Sequence, residues 1–482
     1  MFISDTLLSQ GIRSAGILAS ASVVENALRF IRNIILARLL APDAFGLMAT
    51  VMAGVAMWEA FTEVGLRQSV IQNKKGSEKE FLNIIWWLST IRGLAIYCMA
   101  WVAAPYIGEF FNRPDSTMLL RAGFLVIPFN AMVSPRITVL EKKLQFKNWV
   151  FLMQGSAVVG IVIAIGSAFY LHNAWALIYG YVSESLFKFL LSYIFYPLIP
   201  TFEISRDHLK EIISFTRGMY GLPIMMLLFA QMDVIVIGRV LSLELLGLYV
   251  LARSISDMPL NFFSKIAQPL LLPSFSTLQD NGEKLNKALL NITNIMATLA
   301  IPLFAFLIVF SDMLLSLFYG NIYATMAVPF GILCVYSFVY LCTTIIMSGF
   351  ISIGKPNLQR VAAIVRTLLF LIIIYPAVKI FGLSGAAASL LIASIVSLVV
   401  QQHYLNKIMT VKPEEYCGAW VLGAQISLIV IIPGIMLRLA LDSYNVTAVA
   451  GGAILCILSW GVGLSKIPLV REKLLTVNPQ VP

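Results

Sequence analysis

Fourteen segments of this chain are each long and apolar enough to cross a lipid bilayer, and no other feature limits the fold so strongly. A bilayer core takes about 20 apolar residues per helix. The segments are 14–37, 43–65, 81–105, 117–138, 149–171, 174–197, 212–237, 244–274, 288–318, 324–351, 358–380, 384–406, 417–439 and 446–465. Helices are expected because a spanning segment must satisfy its own backbone hydrogen bonds. The eighth and ninth segments are over-long and are expected to bend or to project into water. The longest polar connections lie at 66–80, 106–116, 139–148, 198–211 and 275–287. None holds a folded extramembrane domain, so the function is expected to reside in the membrane helices.

Composition agrees. Charged residues are 12% of the chain and hydrophobic residues 59%, whereas a soluble domain is about a quarter charged. The deficit runs along the whole length. An all-α polytopic membrane protein is therefore expected, not a soluble domain with one anchor. Residues 1–12 lack the basic and apolar regions of a signal peptide, so the first segment is expected to stay as a span. Cys98, Cys334, Cys342, Cys417 and Cys456 match no disulfide or metal spacing and are expected to be small buried side chains.

The basic residues set an orientation. With the N-terminus cytoplasmic, nineteen Lys and Arg fall on the inner side, among them Arg67, Lys74, Lys75, Lys142, Lys143, Lys284, Lys287 and Lys412. Five fall outside: Arg38, Arg113, Arg239, Lys379 and Arg438. The positive-inside rule then places both termini in the cytoplasm.

The chain also repeats itself. Leu36–Met48 (LARLLAPDAFGLM) returns 201 residues later as Ile237–Tyr249 (IGRVLSLELLGLY), pairing Arg38 with Arg239 and Gly46 with Gly247. Gly76-Ser-Glu-Lys-Glu is echoed by Gly282-Glu-Lys. Six spans separate the copies, an even number, so the repeats share one orientation. Two six-helix bundles related by a pseudo-two-fold along the membrane normal are expected, with two extra C-terminal helices. The expected divisions are 1–205, 206–410 and 411–482.

Ten basic residues remain inside the spans: Arg29, Arg32, Arg92, Arg121, Arg136, Lys188, Arg217, Arg253, Lys265 and Arg366. Six carboxylates accompany them: Glu25, Glu59, Glu63, Glu184, Asp233 and Asp257. A charge at the centre of a spanning helix costs about 2.5–3.5 kcal/mol even on lenient scales, so these residues need partners or a purpose. Ser22, Glu25, Arg29 and Arg32 form one stripe of a helix; Arg253, Asp257, Asn261, Ser264 and Gln268 form another, with Lys265 at its edge. Glu59, Thr62 and Glu63 cluster on the second segment. Such stripes suit a hydrated cavity between the bundles, lined by helices 1, 2, 7 and 8. Two readings stay open for several charges. Glu25/Arg29, Glu184/Lys188 and Arg253/Asp257 stand at i,i+4 and can neutralise each other, and Arg121 and Arg136 can snorkel. Arg32, Arg92, Arg217, Lys265 and Arg366 have no partner at helical spacing. A cationic surplus suits an anionic substrate, with phosphate the common biological choice. Gly218, Gly221 and Pro223 mark either a hinge or a static kink.

Other chemistry is not expected. His172, His208 and His403 have no second metal-type ligand at suitable spacing, and no Walker-type phosphate loop or nucleophile elbow occurs. A non-enzymatic protein without resident metal or cofactor is expected, and no nucleic-acid partner.

The runs L-A-R-L-L-A-P-D-A-F-G-L (36–47) and E-V-G-L-R-Q-S-V-I-Q (63–72) resemble the Wzx-type polysaccharide flippases of the MOP exporter superfamily, in particular the group of the colanic acid exporter. D-V-I-V-I-G-R-V-L-S-L-E-L-L-G-L-Y (233–249), L-L-P-S-F-S-T-L-Q-D (271–280) and G-K-P-N (354–357) are similar to the same family. The resemblance spans residues 10–410. It implies a carrier of undecaprenyl-diphosphate-linked oligosaccharide units from the cytoplasmic to the periplasmic leaflet of a bacterial inner membrane. Alternating access through a cationic central cavity is implied, with Na+ or H+ as candidate coupling ion. A polysaccharide polymerase and a chain-length regulator are the implied partners. By helix position, the cavity candidates for the diphosphate are Arg29, Arg32, Arg253 and Lys265, joined by Arg92 and Arg217, which have no partner at helical spacing. Glu25, Glu59, Glu63, Asp257, Asn261 and Asp233 are the polar or ion-coupling candidates. One alternative is an ion-coupled multidrug or small-solute antiporter of the same superfamily, which would favour an anionic cavity. A remoter one is a membrane-embedded polymerase or ligase, which would want a sizeable catalytic loop.

Overall fold

The computed structural model of the protein describes residues 5–62, 65–143, 145–201, 212, 222–276, 281–440 and 446–466. Among them every regular element is helical. Among the described residues seven helices are long and apolar enough to cross a membrane, or eight if one bent segment is a span. The helices bearing the charged stripes fall outside that set, because their charges lower the local hydropathy. The chain forms two compact units, Met1–Val250 and Leu251–Pro482.

The first unit starts with α1 (Asp5–Leu39), α2 (Pro42–Thr62), the short α3 (Leu66–Gln72) and α4 (Lys79–Phe110). The fourth expected span, 117–138, is not one helix. It is built as α5 (Thr117–Gly123), α6 (Val126–Ala131) and α7 (Arg136–Lys142), with a 63° bend before α7. Pro135 is the cause: it has no N–H to donate and disfavours helical backbone at Ser134. The helix α9 (Trp175–Phe195) heals the break, since the Ser134 N–H donates to Ser192 Oγ at 3.0 Å and Ser134 Oγ donates to the Tyr196 carbonyl at 2.7 Å. α8 (Phe146–Leu171) packs along α9, and α10 (Leu222–Val240) packs on α2. Val51, Val55, Ile96, Ala100, Phe124 and Ile178 are buried together at the centre.

The repeated motif meets itself inside this unit. α11 (Leu243–Ser276) begins here and continues into the second unit. A Cβ on Gly46 would lie 1.8 Å from the Leu243 carbonyl oxygen, and a Cβ on Gly247 would lie 1.8 Å from the Pro42 carbonyl oxygen. Pro42 and Leu243 are themselves repeat partners. The crossing is therefore self-complementary, as a two-fold contact must be, and its backbones approach as only glycine permits. Nearby, Arg239 Nη1 donates to the Phe110 carbonyl at 2.7 Å and to Asn112 Oδ1 at 2.8 Å. It thus satisfies one of the open carbonyls at the C-terminus of α4.

The second unit contains the rest of α11, then α12 (Gly282–Val309), α13 (Ser311–Tyr319), α14 (Ala327–Ser352), α15 (Pro356–Met409), α16 (Pro413–Ala440) and α17 (Val446–Lys466). The over-long ninth segment breaks at Phe310, between α12 and α13. The eleventh and twelfth expected spans run together as α15 but part at Gly382, whose φ of 58° and ψ of −136° no helix accommodates. Phe275, Leu289, Ile346, Phe350, Leu405 and Tyr416 form the core. The last two helices dock on α12 and α13: Trp460 Nε1 donates to the Leu299 carbonyl at 2.9 Å, and Arg438 pairs with Asp312 at 2.8 Å.

Candidate functional site

Charged and polar side chains gather inside each unit. In the first, α1 brings Glu25 and Arg29 onto one face, four residues apart. Arg29 Nε donates to Glu25 Oε1 at 3.0 Å, and Arg29 Nη2 reaches Glu184 Oε1 on α9 at 2.7 Å. Gln154 of α8 extends the network, donating to Glu25 Oε2 at 3.1 Å and to the Ala21 carbonyl at 3.2 Å. Arg29 is thus held by two carboxylates from two helices, which offsets the cost of carrying each charge into the membrane. Lys188, one turn beyond Glu184, lies in the electrostatic reach of Glu184, Glu59 and Arg29.

Lys188 also faces a cavity of about 270 Å³. Its walls bring Glu59 of α2, Arg67 of α3, Ser89 and Arg92 of α4, Glu141 of α7 and Trp149 of α8 together with Lys188. Arg67 and Glu141 pair at 2.7 Å. Beyond that pair, the charged lining is Arg92 and Lys188 against Glu59, a surplus of one positive charge. Asn130 and Trp149 are in the same walls, and their buried Oδ1 and Nε1 atoms have no hydrogen-bond partner among the described residues. The cavity therefore offers cations and neutral hydrogen-bonding groups side by side. That combination suits a ligand with both anionic and polyhydroxyl parts.

In the second unit the polar stripe of α11 meets α14 and α15. Arg253 Nε lies 3.4 Å from Asp257 Oδ2, and Ser337 Oγ donates to Asp257 Oδ1 at 2.9 Å. Tyr336 sits within electrostatic reach of Arg253, Asp257, Tyr340 and Arg366. Arg366 is only 8% exposed, and its guanidinium carbon stands 4.8 Å from the centre of the Tyr340 ring. An aromatic face there takes the place of an i,i+4 partner, which the sequence could not supply.

The remaining candidates lie apart. Arg32 Nε and Nη2 donate to Asn33 Oδ1 at 3.2 and 3.0 Å. Asp233 is fully buried, accepting from the Val234 N–H at 2.9 Å and from Tyr249 Oη at 3.2 Å. Asn261 is exposed, one turn beyond Asp257. Glu63, Arg217, Gly218 and Gly221 lie outside the described residues, as do the side chains of Pro223 and Lys265. The sequence argument missed Gln154, Tyr336, Ser337 and Tyr340 as members of these clusters. The last three stand at i, i+1 and i+4 of a helix without a charged residue, a spacing of the kind that exposed the α11 stripe.

Comparison with known proteins agrees with this architecture. A family model described as "Polysaccharide biosynthesis protein" matches residues 35–328. The lipopolysaccharide biosynthesis protein WzxC of Escherichia coli (strain K12) is 24% identical over 395 residues, covering 81% of this chain and 79% of that protein. Lipid II flippase MurJ, in an inward closed conformation, shares the fold with a TM-score of 0.74 at 15% identity; the match covers 95% of this chain and 100% of that one. A multidrug resistance MATE transporter of the MOP superfamily, inward-facing, matches with a TM-score of 0.61 at 16% identity, over 81% of this chain and 99% of that one. At such identities the solved structures speak for the fold alone. With more than half its length matched, the chain belongs to the polysaccharide biosynthesis protein family.

Proposed function

We propose that this chain is a flippase that moves lipid-linked oligosaccharide units from the cytoplasmic to the periplasmic leaflet for surface polysaccharide synthesis. The carrier is undecaprenyl diphosphate and the membrane is the bacterial inner membrane, with both termini cytoplasmic. The observation that supports the reading best is the cavity in which Arg92 and Lys188 stand beside Asn130, Trp149 and Ser89. Cations recognise a diphosphate, and neutral donors and acceptors recognise sugar hydroxyls. Family membership points the same way, as do relatives named for polysaccharide biosynthesis.

In this scheme the protein is a transporter and not an enzyme. It works by alternating access of two six-helix bundles, divided near 205/206, with residues 411–482 added as a two-helix extension to complete fourteen spans. Arg92 and Lys188 hold the diphosphate. Arg29, clamped by two carboxylates, serves the framework. Glu59 and Asp257 are the carboxylates assigned to ion coupling, by H+ or Na+. A polymerase and a chain-length regulator receive the product. The multidrug antiporter shares the fold, so the fold does not separate the two; the positive surplus in the cavity favours the anionic cargo. Replacing Arg92 or Lys188 with Ala should abolish polysaccharide export while the protein still inserts. Wild-type export from both variants would refute the site.

A further inference from the structure

A second cavity in the first unit has a different character. It is a groove of about 450 Å³ among α2, α4 and α10, lined by Thr50, Met57, Trp58, Tyr106, Phe110 and Ile235 and by further apolar neighbours. Its size falls within the range of small-molecule sites, about 300–1,000 Å³. It opens to the outside of the unit, where Tyr106 is 70% exposed and Phe110 is also exposed. One turn beyond Ile235 on the same face of α10 stands Arg239, with its guanidinium carbon 5.3 Å from the centre of the Phe110 ring. The Arg239 Nη1 bonds to the Phe110 carbonyl and to Asn112 Oδ1 fix the side chain in place. Asn112 adopts the left-handed backbone (φ 56°), which glycine and asparagine tolerate best. Arg239 is exposed, and its Nε and Nη2 have no partner among the described residues.

We propose that this groove seats an acyl chain of an anionic phospholipid, and that Arg239 holds the phosphate of that lipid. An aromatic-lined apolar slot with a fixed guanidinium at its mouth matches an amphiphile with a long chain and one negative head. The leaflet is the one on the Arg239 side, the periplasmic leaflet under the orientation proposed above. The site is separate from the Arg92–Lys188 cavity, and it does not depend on which cargo the protein carries. A phosphatidylcholine would offer Arg239 the same phosphate with a compensating cation, so the site should discriminate by net charge.

The test is native mass spectrometry of the purified full chain, titrated with phosphatidylglycerol or phosphatidylcholine. Wild-type protein should retain phosphatidylglycerol about tenfold more strongly, the size expected for one charge-assisted contact. Arg239→Gln, at an exposed position, should remove that preference. Ala103→Trp, which fills the groove from α4, should weaken retention of both lipids. If Ala103→Trp fails to fold, Arg239→Gln decides alone. Equal retention of the two lipids by wild type would overturn the proposal, as would an unchanged preference in Arg239→Gln. Displacement of phosphatidylglycerol by equimolar undecaprenyl diphosphate would assign the groove to the carrier lipid and overturn it as well.

Discussion

Replacing either glycine of the repeated motif should destabilise the first unit, and both should do so by the same mechanism. An alanine at 46 or 247 places its Cβ 1.8 Å from a backbone carbonyl oxygen, the Leu243 oxygen in one case and the Pro42 oxygen in the other. That falls about 1.6 Å short of the 3.4 Å at which ordinary contact begins. Neither obstacle is a side-chain tip that can swing away, so α2 and α11 must separate over a full crossing. Overpacking of this kind costs about 1–3 kcal/mol, and a backbone obstacle belongs at the upper end. The two substitutions act on one crossing, so once the helices have parted the second should add little. Gly166→Ala is the control: it lies in α8 with nothing within 4 Å of its Cβ, and alanine should gain about 1 kcal/mol there in helix propensity. The assay is the apparent melting temperature in detergent at a fixed heating rate, because such proteins unfold irreversibly. Gly46→Ala and Gly247→Ala should each melt several degrees lower, the double variant only slightly lower still, and Gly166→Ala no lower than wild type. Unchanged melting in both single variants, or a fully additive double variant, would refute the self-complementary crossing.

Three further outcomes follow from the charge clusters. Glu184→Gln removes one arm of the Arg29 clamp. Because both partners are partly exposed, the cost should be about 1–2 kcal/mol, well below that of breaking a fully buried pair; a double-mutant cycle with Arg29→Gln should recover most of it, and additivity would disprove the pair. Arg366→Lys keeps the charge but loses the flat guanidinium against Tyr340, so stability should fall by about 1–2 kcal/mol while Arg366→Lys in a Tyr340→Leu background should cost much less. Ser337→Ala takes away the hydroxyl that holds Asp257 and should weaken export more than stability, measured as polysaccharide yield per inserted molecule; yield and melting falling together would mean that the serine is only structural.

Much of this architecture is legible in the residues because hydropathy is a strong signal in membrane helices. The pause near 381–383 is visible as a short gap between two apolar runs, and it coincides with the left-handed Gly382. The fourth span is less legible. Its apolar run is continuous through Pro135, and only Ser192 of α9 and the Tyr196 carbonyl just beyond it show how the break at Ser134 is satisfied. The charges divide in the same manner. Glu25/Arg29 and Arg253/Asp257 are readable because both partners share a helix face. Arg29 and Glu184 are 155 residues apart, and no spacing rule connects them. The repeat shows that Gly46 and Gly247 correspond, whereas only the folded chain shows that each glycine abuts the other's strand of the motif.

The central claim is that a cationic cavity among the helices of the first unit carries an oligosaccharide diphosphate lipid across the bilayer. The most direct measurement is transfer of an undecaprenyl-diphosphate-linked oligosaccharide between leaflets of proteoliposomes, read by the access of a lectin or a glycosidase from one side. Wild-type protein should equilibrate the lipid between leaflets. Arg92→Gln with Lys188→Gln should not, although it inserts and melts as wild type does. No transfer above protein-free vesicles by wild type, or undiminished transfer by the neutralised variant, would contradict the account.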